Sequence, residues 1–154
     1  MNKKLSQLYQ EDIADRNSGV PSDQLNSNDQ KRIAQVQQII DRDPKLQAED
    51  YHQVALIFQH GETIGHYKKA HELAIQAVEM GDGSARWLAA VSLDRSLLME
   101  GKPQNYGTQF KLNSENEWEL VLPVDPSVTD EERATWHVPP LKDALKVYKQ
   151  KYNL

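Results

Sequence analysis

The chain has 154 residues, a length that fits one domain with a buried core, and we assign residues 1–154 to a single domain. Its formal charge of −5 leaves no basic surplus to offset phosphate, which argues against nucleic acid or an anionic membrane surface as a partner. The absence of cysteine excludes disulfides, thiolate zinc sites and a cysteine nucleophile.

The N-terminal segment has no apolar run after its lysines, so we recognise no signal peptide. No apolar run approaches the roughly 18 residues of a membrane span. We therefore expect a cytoplasmic protein. Residues 3–16 show weak helical spacing, with Asp12 and Arg16 four apart as a surface ion pair, and residues 17–26 indicate a loop. The weakness of this spacing leaves open that residues 1–26 are a loosely attached helix and loop.

Four stretches in the middle of the chain have the apolar spacing of amphipathic helices. The first opens with a capping box formed by Ser27 and Gln30. It ends at Asp43-Pro44, because a residue before proline avoids the α conformation. The other three stretches cover about Asp50–Gln59, Thr63–Met80 and Ser84–Glu100, and the alanines in the second of these imply close helix–helix packing.

After Gly101 the apolar period changes from helical to two, which predicts a β-hairpin near residues 106–122. In that alternation Tyr106 and Thr108 share a face with Phe110. A capping box at residues 129–132 and helical spacing over residues 141–152 predict two more helices.

The fold class predicted from these elements is mainly α, a helical bundle or helical-hairpin array of about five to six helices with one β-hairpin. Tyr51 and Ala85 lie 34 residues apart, which is the period of tetratricopeptide repeats. Fewer than three such units fit in the chain, whereas a stable array needs about three or more. A short helical hairpin with alanine contacts therefore remains the alternative to a true repeat.

Asp94 is the first candidate for a catalytic residue. It lies within or beside the apolar stripe of its helix, three residues after Val91 and four before Leu98. A buried carboxylate needs a partner, because burying it unpaired costs several kcal/mol. Asp94 is thus either an anchor for the backbone amides of the turn that follows or a functional carboxylate that orients a base or a substrate.

His60 is the second catalytic candidate. It closes the helix predicted over residues 50–59, where a protonated histidine is stabilised by the helix dipole. Histidine also titrates closest to neutral pH, so the same residue fits a general acid or base. The sequence leaves these two interpretations equal.

The turn that joins the last long helix to the hairpin is rich in hydrogen-bonding side chains. Amides and hydroxyls suit the recognition of a small polar ligand or a peptide, and Gly107 permits close backbone approach. The alternative is that these side chains tie the hairpin to the helices. The candidate ligand-binding residues are Arg95, Gln104, Tyr106, Thr108 and Gln109.

We predict no metal site and no cofactor. His60, Glu62 and His66 do not match an established metal-ligand spacing, and the chain has no P-loop, dinucleotide fingerprint or nucleophile elbow.

Between residues 5 and 145 the chain resembles a bacterial domain family of unknown function. The resemblance rests most firmly on Asp94-Arg95 and on the motif G-K-P-Q-N-Y-G-T-Q at residues 101–109. Trp136-His137-Val138 departs from the glycine-containing form of that family. The resemblance implies one polar cluster and no particular activity. The other matching residues are Asp12 with Arg16, His60, Pro123, Glu132-Arg133 and Pro140-Leu141, and the implied cluster contains His60, Asp94, Arg95, Gln104, Tyr106 and Gln109.

Two functions remain open at this stage. The first is a polar pocket that binds a small polar ligand or peptide, with His60 in acid–base chemistry of a hydrolase-like kind. The second is a helical module, regulatory or immunity-like, that grips a protein partner without catalysis. An exposed apolar stripe on residues 50–100 would indicate the second function.

Overall fold

A computed structural model describes residues 1–43 and 45–154. Within these residues the fold is mainly α, with seven α-helices and one two-stranded antiparallel hairpin, which confirms the predicted fold class. The helices are α1 (Lys3–Asn17), α2 (Ser22–Arg42), α3 (Ala48–Gln59), α4 (Ile64–Glu79), α5 (Arg86–Met99), α6 (Asp130–Thr135) and α7 (Ala144–Tyr152), and the strands are β1 (Phe110–Leu112) and β2 (Trp118–Leu120).

The N-terminal helix is part of the core and not a loosely attached segment. Leu5 and Leu8 are completely buried, and α1 packs against α3 and α2. Asp12 is also fully buried, so its pairing with Arg16 at 3.2 Å is not a surface ion pair. The weak apolar spacing of α1 is explained by this buried carboxylate, which replaces an apolar residue on the inward face.

Helix α2 begins at Ser22, five residues before the predicted capping box at Ser27. Pro21 precedes it with φ −55°, a torsion that proline fixes and that suits entry into a helix. Ser27 therefore lies inside the helix. Helix α2 ends at Arg42 with Asp43 in extended conformation, and Pro44, the other half of the predicted stop, lies outside the described residues.

Helix α4 packs between α3 and α5 and forms the centre of the fold. Its inward face carries Ala70, Ala74 and Ala77, all completely buried, so the neighbouring helices approach closely as predicted. In the described ranges, none of the helices is both long and apolar enough to cross a membrane.

The hairpin is shorter than predicted, because its first strand starts at Phe110 and not near residue 106. The backbone before Phe110 is held in a turn by Asp94, which removes Tyr106 and Thr108 from the strand alternation. Tyr106 instead packs in a second small core with Ala90 and Trp136. The face of β1 is covered by α7, whose Tyr148 stacks on Phe110 with ring centroids 4.2 Å apart.

Candidate functional site

Asp94 anchors the turn between α5 and the hairpin. Its side chain is fully buried, and its Oδ1 accepts hydrogen bonds from the backbone N–H groups of Asn105 at 2.7 Å and Tyr106 at 3.0 Å. Its Oδ2 accepts from the Thr108 N–H at 3.0 Å and the Thr108 hydroxyl at 2.8 Å. Burial raises the pKa of Asp94, and these four hydrogen bonds oppose that rise. The carboxylate is therefore committed to the chain's own donors.

Gln104 performs a second anchoring role. Its completely buried side chain accepts a hydrogen bond from the Gln109 N–H and donates to the Val121 carbonyl, which ties the turn to the residue after β2. Tyr106 is buried too, and its carbonyl accepts a hydrogen bond from buried Arg133. Asp94, Gln104 and Tyr106 thus build the scaffold behind the candidate site.

A cavity of about 330 Å³ lies next to this scaffold. Its walls are the C-terminal half of α3, one face of α5, residues 107–110 and α7. Four predicted site residues line this cavity, whereas the three scaffold residues do not. The four are His60, Arg95, Thr108 and Gln109.

Arg95 lies at the polar end of the cavity and is held from two sides. One Nη donates to the Gln59 carbonyl at 2.9 Å, and Nε points to the Gln109 side-chain oxygen at 3.4 Å. Gln109 in turn donates to the Thr108 hydroxyl oxygen at 3.0 Å. The guanidinium also lies over the ring of Tyr67, 5.2 Å from its centroid. These contacts fix the plane of the guanidinium while leaving some of its five N–H donors for another acceptor.

His60, the residue that caps α3, is paired with Asp12 and not with Asp94. The two carboxylate oxygens of Asp12 lie 3.0 and 3.3 Å from Nδ1 of His60. The imidazole is 23% exposed and lines the cavity. Sequence reasoning missed Asp12 as a partner of His60, although the Asp-x-x-x-Arg element at residues 12–16 was a signal that this carboxylate has a specific role.

Behind His60, Asp12 belongs to a network of buried charges between α1 and α2. Arg32 is nearly buried and contacts Asp15 at 2.6 Å and Asp29 at 2.7 Å, and its Nε lies 3.4 Å from Asp12. Arg16 contacts Asp29 at 2.9 Å. Burial alone would raise the pKa of Asp29, but its hydrogen bonds with the two arginines outweigh this and lower it. The network holds Asp12 in place behind the imidazole.

The opposite end of the cavity is aromatic. Tyr148 stacks on Phe110 and also contacts Tyr152, with centroids 4.9 Å apart. Trp87 lines the cavity from α5, and the ammonium of Lys151 lies 3.4 Å from the centroid of its ring. Both Trp87 and Tyr148 lie at apolar positions of their helices, and no local signal in the sequence shows that α7 folds over α5 to create this wall.

The charge distribution around the cavity is one-sided. Among the described residues that line it none is Asp or Glu, although the chain contains 23 acidic residues. Arg95 and Lys151 are its cations, and within the described ranges neither forms an ion pair with a carboxylate. The described lining of the cavity thus carries cations and no carboxylate, in a protein of net negative charge.

A second Asp–His pair lies outside the cavity. His52 Nδ1 is 2.7 Å from Asp82, and the Ser84 hydroxyl lies 3.3 Å from the same nitrogen. In a serine-hydrolase triad the hydroxyl bonds to the other ring nitrogen, Nε2, so this group does not have that geometry. It joins α3 to the turn before α5.

The chain was compared with known protein families, curated proteins and solved structures, and it matches none of them. The resemblance to a bacterial domain family therefore stays a prediction.

Proposed function

We propose that the cavity binds a small anionic molecule that has a planar or apolar part. The observation that carries this proposal is the composition of the cavity lining. Its described residues include the cations Arg95 and Lys151, which form no ion pair with a carboxylate, and they include no carboxylate of their own. An electropositive cleft with apolar walls concentrates anions and strengthens their hydrogen bonds to a guanidinium. A volume of about 330 Å³ falls at the lower end of the range for small-molecule sites, roughly 300–1,000 Å³.

In this proposal Arg95 binds the anionic group. Gln109 and the Gln59 carbonyl orient the guanidinium, so it presents its remaining donors without first losing rotational freedom. Trp87 and Tyr148 belong to the aromatic wall against which the apolar part of the ligand packs. His60 stands beside the anion site as the acid–base group, and the protein acts in the cytoplasm, as expected from its sequence.

The rival function, a helical module that grips a protein, has less support. Its sign would be an apolar stripe on the helices between residues 50 and 100. In the described part of that range the exposed large hydrophobic residues are Met80 and Met99. Met80 follows the last residue of α4 and Met99 is the last residue of α5, so in these antiparallel helices the two side chains lie at opposite ends. Two separated side chains do not make a docking stripe.

The proposal is tested by calorimetric titration with phenylacetate and its neutral analogue phenylacetamide. We expect the carboxylate to bind and the amide to bind more weakly. Arg95→Gln should lower phenylacetate affinity by roughly 10-fold to 150-fold, since a hydrogen bond to a charged group is worth about 1.5–3 kcal/mol.

Arg86→Gln is the matched control, because Arg86 lies on the same helix but donates to the Thr135 carbonyl outside the cavity. It should leave the affinity unchanged. Equal binding of the acid and the amide, or equal losses in the two arginine variants, would contradict the proposal.

A further inference from the structure

We propose that Asp12 and His60 form an acid–base pair that moves a proton on the ligand bound in the cavity, the substrate class being a carboxylate with an acidic C–H next to a carbonyl group. This inference rests on the proposed binding function. Asp12 acts as a positioning residue, and His60 is the catalytic residue.

The tautomer of His60 follows from its partner. An ionised carboxylate only accepts hydrogen bonds, so the nitrogen facing Asp12 must carry the proton. That nitrogen is Nδ1. The neutral ring then has its lone pair on Nε2, and within residues 1–43 and 45–154 no donor occupies that nitrogen. Because His60 lines the cavity and its Nδ1 faces Asp12, we infer that Nε2 is the nitrogen that meets a bound molecule.

Burial and two arginines restrict the position of Asp12. The carboxylate is fully buried, and Arg16 and Arg32 contact its Oδ1 at 3.2 and 3.4 Å. A carboxylate held in this way restricts both the tautomer and the rotation of the histidine it accepts from.

The lining residues favour proton transfer over a reaction through an ester or thioester enzyme intermediate. They include no serine or cysteine, and the hydroxyl of Thr108 donates to Asp94. The geometry therefore supplies a base and a cation, without an activated hydroxyl or thiol nucleophile. These are the two groups that enolisation requires, because Arg95 can stabilise the negative charge that develops on the substrate.

The proposed step conserves atoms and electrons. Nε2 of His60 takes the proton from the carbon next to the carbonyl group, and the C–H electron pair forms a C=C bond while the carbonyl π pair moves to oxygen as an enolate. The imidazolium then returns its proton to that oxygen, which gives the enol, or to carbon, which restores the ketone. No oxidant, reductant or second substrate takes part.

Phenylpyruvate is the probe, because it combines a carboxylate, an aromatic ring and an acidic methylene group. Deuterium incorporation at the methylene carbon is followed by proton NMR, and binding is measured in parallel by calorimetry. We expect His60→Gln to bind phenylpyruvate but to lose roughly 10²-fold or more of the exchange rate. His52→Gln, which breaks the Asp–His pair outside the cavity, should retain the full rate.

The role of Asp12 is tested without a substrate, by nitrogen-15 NMR of the imidazole rings. We expect His60 to be the Nδ1–H tautomer at a pH where it is neutral, whereas free histidine favours Nε2–H. The Nε2–H form would overturn the pair. If phenylpyruvate binds but wild-type and His60→Gln proteins exchange deuterium equally, the acid–base inference fails and the binding function stands. If phenylpyruvate does not bind, both the ligand class and this inference are overturned.

Discussion

Replacing Asp94 with Asn tests whether this residue is the anchor of the candidate site. The substitution keeps the shape of the side chain but leaves one acceptor oxygen in place of two. Four donors face the carboxylate, from Asn105, Tyr106 and twice from Thr108. If the oxygen of the new amide accepts from the N–H groups of Asn105 and Tyr106, the NH₂ group of the same side chain faces Thr108. The Thr108 hydroxyl can rotate to accept from that NH₂ group, but the Thr108 N–H then faces another donor.

At least one buried N–H is therefore left without an acceptor, which costs about 1–3 kcal/mol. The two hydrogen bonds that remain also lose the charge assistance of the carboxylate. Burial disfavours the charged carboxylate and so raises the pKa of Asp94. A neutral amide avoids this desolvation cost, which offsets part of the loss. We expect Asp94→Asn to lower the free energy of unfolding by about 2–4 kcal/mol.

The assay is urea unfolding at neutral pH, in which the midpoint should fall by about 1–2 M with an unchanged slope. Asp125→Asn is the control, because Asp125 accepts two hydrogen bonds from Ser127 near the surface. It should cost less than about 1 kcal/mol. A loss for Asp94→Asn no larger than for this control would show that Asp94 does not hold the turn.

Three further predictions concern the rest of the site. Gly107→Ala should destabilise the fold more than Gly101→Ala in thermal unfolding, since both glycines have positive φ but only at Gly107 would a Cβ meet a neighbour, Leu141, at 2.6 Å. Asp29→Asn should cost about 3 kcal/mol at neutral pH. Because the folded-state pKa of Asp29 lies below 3.8, this stabilisation exists above that pH and is lost as the pH falls further. The difference in the free energy of unfolding between wild type and Asp29→Asn should therefore shrink when urea unfolding is repeated under acid conditions. Tyr148→Ala should lower phenylacetate affinity in calorimetry by about 10-fold or more, with a smaller loss for a non-aromatic anion such as acetate.

Helices α3, α4 and α5 are predictable from the sequence because most residues on their inward faces are apolar and recur at helical spacing. The start of α2 is less predictable, since Ser27 satisfies a local capping pattern whereas Pro21 and tertiary packing begin the helix earlier. The start of β1 is set by a side chain distant in sequence, because Asp94 competes with the strand for the amides of residues 105–108.

The candidate site, like the fold, is predictable from the sequence only in part. The motif at residues 101–109 indicates a specific turn, and the carboxylate that serves it can be inferred from its place beside an apolar stripe. Which motif residues face the cavity depends on the path of the turn, so Gln104 and Tyr106 could not be separated from Gln109 by spacing alone. The pairing of Asp12 with His60 joins residues 48 positions apart, and no local pattern encodes that contact.

The short hairpin has a consequence for the order in which the molecule assembles. Strands of three residues are too short to persist alone in water. Helices α3 to α5 are neighbours in sequence and make local contacts, whereas the turn before the hairpin needs the Asp94 acceptor in the C-terminal half of α5. Because the hairpin and α7 pack around this helical layer, the cavity between them exists only when all three parts are in place, and we expect it to be the last feature of the fold to form.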